Sequence, residues 1–229
     1  MSFFENSVFF GVTISIVAYG VGCVLKDKLK MDIFNPVLIS IVAVIAVLAC
    51  AHIDYDVYYS GAQYLSYLLT PATVCLAVPL YEKIELLKEH WKAIVAGILS
   101  GVLTTLFCVL AMSLLFGFNH EEYVTFLPKS ITTAIGMGVS EELGGYVTIT
   151  VAIIIITGVL GNIIAPFVCK AFRIQDPIAR GIAIGTASHA IGTSKAMEMG
   201  EIEGAMSSLS IVVSGLLTVV GASIFAQFI

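Results

Sequence analysis

Eleven consecutive residues, Gly185 to Lys195 (GTASHAIGTSK), hold two ionisable groups, His189 and Lys195, and four hydroxyls, Thr186, Ser188, Thr193 and Ser194. Such a set suits a small carboxylate: hydroxyls and exposed backbone N–H groups donate hydrogen bonds, and a cation balances the charge. His189 adds a group whose reference pKa, about 6.5, fits proton transfer near neutral pH. On a regular helix His189 and Thr193 share a face, with Ser188 and Lys195 on a neighbouring stripe. The blander alternative is a histidine satisfied by a helix neighbour, with Lys195 snorkelling or paired to Glu198 three residues on.

A second cluster runs from Pro128 to Glu142 (PKSITTAIGMGVSEE). Lys129 beside Ser130, Thr132 and Thr133 could present charge and helix-end N–H groups to an anion; a surface helix with Lys129 at the lipid headgroups is the alternative. Glu142, with Glu141, is a proton-site candidate, as are His189 and Lys195, although carboxylates at the end of a segment are more often solvated. A third, poorer group is Thr70, Pro71, Thr73 and Pro79, where the prolines interrupt an apolar run.

These residues lie in a chain built for lipid. Of 229 residues 59% are hydrophobic and 12% charged, against about a quarter charged in soluble domains. Residues 6–25, 33–51, 57–81, 93–119, 143–169 and 204–229 contain no Asp, Glu, Lys, Arg or His, and each is long enough to cross a hydrocarbon core of about 30 Å. An all-α polytopic membrane protein follows. The net charge of −5 without a basic stripe excludes a nucleic-acid partner. The five scattered cysteines are apolar fillers without a CxxC pair. No metal-ligand spacing, Walker loop, HExxH or GxSxG occurs, so neither an enzyme, a metal nor a cofactor is expected.

Basic residues set the expected topology. Lys26, Lys28 and Lys30, then Lys83, Lys88 and Lys92, then Lys170, Arg173 and Arg180 mark three cytoplasmic loops, while 52–60, 119–125 and 198–204 lack Lys and Arg. Crossings at 6–25, 33–51, 61–81, 93–118, 145–168, 181–199 and 205–228 then put the N-terminus outside and the C-terminus in the cytoplasm. Parity makes 126–144 a re-entrant hairpin. No Lys or Arg precedes residues 6–25, which are expected to stay as a helix rather than be cleaved.

Sliding the chain by 114 residues sets Ser100-Gly101 and Thr104 on Ser214-Gly215 and Thr218, and residues 69–81 on 183–195. One membrane domain over 1–229 is therefore expected to contain a first repeat, 33–118, a second and inverted one, 126–229, and an additional N-terminal scaffold helix in 1–32. The paired breakers are Pro71 and Pro79 in the first copy and Gly185 and Gly192 in the second. Paired helix breaks in inverted halves point to a midplane site in a secondary transporter. Close packing at small residues is the alternative for any single glycine. Asn35-Pro36 and Asn162 to Pro166 are expected to cap helices.

The segments NPVLISI (35–41), LTPATVCLAVPLYE (69–82), PKSITTAIGMGVSEELGG (128–145), GNIIAPFV (161–168) and ARGIAIGTASHAIGTSKAMEMGEIEGAMSSLSI (179–211) together resemble the LrgB/CidB family. That resemblance implies a bacterial inner-membrane protein working with a small holin-like subunit of the LrgA/CidA type and as a homodimer. It implies two functions. Members were first described as antiholin-like modulators of murein hydrolase activity and autolysis; others carry small monocarboxylates, the plastid glycolate/glycerate translocator resembling a fusion of both halves and bacterial pairs importing pyruvate. Through the matching blocks it implies Lys129, Ser130, Thr132, Ser188, His189, Thr193 and Ser194 as site residues.

Overall fold

The computed structural model describes residues 9–29 and 34–229. Lys30 and the starts of the expected spans at 6 and 33 lie outside them, as do the side chains of Thr70, Thr73 and Pro79. Every regular element among the described residues is helical. Four helices are long and apolar enough to cross a membrane: Phe10–Leu29, Ile84–Phe116, Val147–Ala171 and Glu201–Phe228.

The chain forms two compact units, Met1–Cys75 and Leu76–Ile229. In the first, α1 (Phe10–Leu29) packs on α2 (Pro36–Ala51) and α3 (Tyr55–Ala62). Asn35 caps α2 as expected, its side chain accepting from Val37 N at 2.8 Å and Leu38 N at 3.3 Å, with Pro36 in the first turn. A 3-10 turn over Gln63–Leu68 leads into α4 (Leu69–Glu82), which straddles the division between the units. The irregular backbone thus lies ahead of Pro71, and α4 runs helical through the positions where a break was expected. At 14 residues α4 spans about 21 Å, short of the hydrocarbon core.

The second unit is built on α5 (Ile84–Phe116), whose buried stripe of Ile94, Ile98, Val102, Leu106 and Val109 recurs at helical spacing. After it come α6 (His120–Phe126), α7 (Thr133–Glu142), α8 (Val147–Ala171), α9 (Pro177–Met199) and α10 (Glu201–Phe225). Helices α6 and α7 form a hairpin whose two ends meet. Tyr146 Oη donates to Glu121 Oε2 at 2.6 Å, Tyr146 N donates to Thr125 Oγ1 at 2.8 Å, and His120 Nε2 lies 3.3 Å from the Leu143 carbonyl.

Helix α9 turns back on itself. Its one residue with non-helical backbone angles is His189, at φ 42° and ψ −142°. A straight helix would hold residues 181 and 197 about 24 Å apart. Yet Gly181 packs on the Glu203 backbone and Met197 packs on Gly204, neighbours in α10. The chain reverses at His189, and the two halves of α9 lie side by side against the start of α10. The order hairpin-then-long-helix therefore occurs twice, as α6–α7 with α8 and as α9 with α10.

Three features depart from the charge-based topology. Residues 181–199 do not cross as one rod. Lys83, expected in the cytoplasm, pairs with Glu201 of the supposedly external loop at 3.0 Å. His120 Nδ1, expected outside, lies 2.7 Å from the carbonyl of Ile229, the expected cytoplasmic end. With residue 83 beside 201 and the Phe107 ring 5.0 Å from that of Phe225, α5 and α10 run parallel, so a shift of 114 residues does not relate them as inverted copies. The cause is ionic. The loop at 198–204 carries no Lys or Arg of its own, but Lys83 and Arg180, the latter 3.8 Å from Glu203, come to it from elsewhere in the chain. A rule that counts basic residues loop by loop does not see such pairs.

Candidate functional site

The tips of the two hairpins meet at Ile154, about a third of the way along α8 and fully buried. From one side, Gly136 near the start of α7 rests on the Ile154 side chain; a Cβ there would collide with it. From the other, His189 Nε2 lies 3.0 Å from the Ile154 carbonyl. Small residues make this approach possible. Gly158 faces the His189 ring and Gly161 faces Ser188, each so closely that a Cβ would overlap the partner.

The reversal at His189 interrupts the ladder of i to i−4 hydrogen bonds, leaving carbonyls of the first half and N–H groups of the second without their usual partners. Side chains instead tie the second half to its neighbours. Thr193 Oγ1 donates to the His189 carbonyl at 3.0 Å and lies 2.7 Å from Ser207 Oγ of α10. Asn162 Nδ2 donates to the Ile191 carbonyl at 2.8 Å and to Ser194 Oγ at 3.1 Å. His189, Ser188, Thr186 and Thr193 are all buried, so the polar groups of the break sit in the protein interior.

The candidate residues divide into three sets. Ser188, His189, Thr193 and Ser194 gather at the α9 tip. Gly185 and Gly192 flank the reversal with helical backbone and serve contact instead: Gly185 is pressed against Ser207 and Gly192 against Ser188. Lys195 pairs with Glu198 at 3.2 Å. In the other hairpin, Lys129 donates to Ser130 Oγ at 3.1 Å, Thr132 precedes α7 without a side-chain cap bond, and Thr133 is its first residue. Glu141 and Glu142 are exposed at the far end of α7, about 13 Å along the helix from Thr133. Pro71 is exposed in α4. Among the described residues no three His, Cys, Asp or Glu side chains converge on one point.

Two residues of this site were not expected in it from sequence. Asn162, expected as a cap, stands inside α8 and holds the α9 reversal; its signal is a lone amide in the uncharged run 143–169. Ser207 carried no signal beyond being one hydroxyl of several in α10.

Two cavities lie along α5. One, of about 550 Å³, is bounded by Gly97, Ser100, Thr104 and Thr105 and, on the first half of α9, by Asp176, Ala183 and Thr186. The other, of about 270 Å³, is lined by Cys108, Met112 and Phe116 with Lys129.

The model of the LrgB-like family matches residues 15–228. Among the curated relatives, the antiholin-like protein LrgB of Bacillus cereus (strain B4264) is 35% identical over 222 residues, covering 96% of each chain. A protein of the same name from Bacillus anthracis (strain CDC 684 / NRRL 3495) matches to the same extent. No solved structure matches the chain.

Proposed function

This chain belongs to the LrgB-like family and is a multi-pass membrane protein, and on that premise we propose that it carries small monocarboxylates such as pyruvate, glycolate or glycerate. It acts with an LrgA/CidA-type subunit and as a homodimer, and its transport is coupled to protons through His189. The observation behind this reading is the reversal of α9 at a buried histidine among hydroxyls. Interrupted helices of this kind provide backbone dipoles for a charged substrate near the midplane, and an ionisable residue at that depth is costly unless it serves function. In this reading both hairpins are re-entrant, entering from opposite membrane faces with their tips at Ile154. The substrate-binding set is Lys129, Ser130, Thr132 and Thr133 on one tip and Thr186, Ser188, His189, Thr193 and Ser194 on the other.

The names of the relatives favour a second reading more directly: an antiholin-like regulator of murein hydrolase activity and autolysis, acting on a holin-like partner without a substrate of its own. The two separate on uptake into proteoliposomes holding the chain with and without its LrgA-type partner, under an imposed pH gradient. Saturable uptake of pyruvate or glycolate, lost in His189→Ala at normal abundance, supports the carrier. No uptake in either preparation of folded protein leaves the regulator.

A further inference from the structure

We infer that the substrate's route through the second unit runs along one face of α5, as two water-filled, anion-accepting vestibules separated at Thr105 and Cys108 by the hairpin tips. This rests on the carrier reading and adds to it a path and four residues, Ser100, Thr104, Thr105 and Cys108.

The two cavities are consecutive on one helix. Ser100, Thr104 and Thr105 line the first, and Cys108 and Met112 line the second, so the cavities meet within one helical turn, about 5 Å. Each ends at a hairpin tip. The first follows α9 from Asp176 at its base to Thr186 and Ala187, two to three residues short of His189. The second reaches Lys129 at the tip of the other hairpin.

Side-chain chemistry gives the ligand class. Thr186 is 5% exposed, and its Oγ1 is a buried side-chain atom for which no protein hydrogen-bond partner exists. A buried hydroxyl left so is unfavourable, and a ligand or water in the cavity would relieve it. Lys129 lines the second cavity, in a wall otherwise apolar but for Ser113, while the first cavity offers hydroxyls and has its one charged group, Asp176, at the far end from Thr186, so the ligand that reaches Lys129 is an anion with a small apolar body. The small residues Gly97, Gly101 and Ala183 keep the other vestibule open to such a molecule. At Gly101 a Cβ would come within 2.6 Å of Thr186 Cγ2, narrowing the passage at its inner end.

The test is thiol labelling in sealed vesicles of the full chain, with Cys23, Cys50, Cys75 and Cys169 replaced by alanine. The probes are native Cys108 and, in a second variant, a thiol introduced by Thr104→Cys with Cys108→Ala. An anionic membrane-impermeant methanethiosulfonate is compared with lipid-soluble N-ethylmaleimide. The route predicts that the impermeant reagent modifies the two positions from opposite faces of the membrane, and that pyruvate or glycolate slows both at least threefold. Modification by the lipid-soluble reagent alone at either position overturns the route. Uptake measured on the same vesicles separates the two ideas: uptake with unreactive thiols removes the route and leaves the carrier, whereas impermeant labelling without uptake keeps the vestibules and removes the carrier.

Discussion

The two hairpins of the second unit solve the same problem in opposite ways. The α6–α7 hairpin is tied at its base: Asn119 and Glu122 form a reciprocal capping box, and Thr125, Tyr146 and Glu121 bond across the open end. Thr150 Oγ1 adds bonds to Ser140 Oγ at 2.7 Å and the Thr125 carbonyl at 3.0 Å. The α9 hairpin is tied at its tip, by His189 to Ile154 and by Asn162 to Ile191 and Ser194. Tying at the base uses a local capping box and bonds to the start of α8, at Tyr146 and Thr150, with no close helix approach. Tying at the tip requires a second helix with glycines in register, which α8 supplies at Gly158 and Gly161. The tip with more polar partners is therefore also the one that depends on tertiary packing.

That contrast breaks most readily at the glycines. Gly185→Leu drives a side chain into the Ser207 backbone, an over-packing cost above about 3 kcal/mol because backbone cannot yield as a side-chain end does. Fluorescence-detected size exclusion should show loss of the monodisperse peak. In the other hairpin Gly138 has open space around it, and Gly138→Leu should leave the peak intact.

Next in size are the ties themselves. Asn162→Ala removes two donors to the α9 tip and should cost about 1–3 kcal/mol together with most of the uptake. Thr125→Val removes the base tie of the other hairpin at a similar cost in melting temperature but should spare uptake. Equal loss of uptake in both would erase the distinction between tip and base.

At His189 the positive φ is strained for a residue with a Cβ, at about 1–3 kcal/mol. His189→Gly relieves that strain but loses the bond to Ile154 and empties the buried space its ring fills against Gly158, so a net loss of about 2 kcal/mol is expected. Uptake should nevertheless disappear. A folded glycine variant that still transports would make the histidine a turn residue only.

The smallest effect concerns pH. The Tyr146 phenol is held above its usual range, first by its hydrogen bond to Glu121 and then by that carboxylate's charge. The folded state keeps this proton longer than the unfolded one, so the contribution is complete below the unfolded phenol's pKa of about 10 and fades as pH rises through the folded value. Tyr146→Phe should flatten the fall in melting temperature above pH 10.

Helical class, lipid environment and the polar cluster at 185–195 were readable from composition and from where charge is absent. The Asn35 cap was readable because Asn-Pro before an apolar run is a local signal. The reversal was not. Gly185 and Gly192 look like breakers, but each packs against a neighbour, and the turn falls on His189, where packing against α8 overrides the preference of a residue with a Cβ for negative φ. Helix direction failed with it: once α9 turns back instead of crossing, α10 runs parallel to α5, and the pairs that mark this, Lys83–Glu201 and Arg180–Glu203, join residues more than 20 positions apart, beyond the reach of any loop-by-loop count.

The most direct test is which membrane face the two ends of α9 occupy. Single thiols introduced by Gln175→Cys and Glu201→Cys, each in a chain lacking its native cysteines, can be labelled with an impermeant maleimide in right-side-out and inverted vesicles. A helix that turns back at His189 predicts labelling of both positions from the same face. Labelling from opposite faces would make α9 a crossing helix, separate the two tips, and contradict the site built on them.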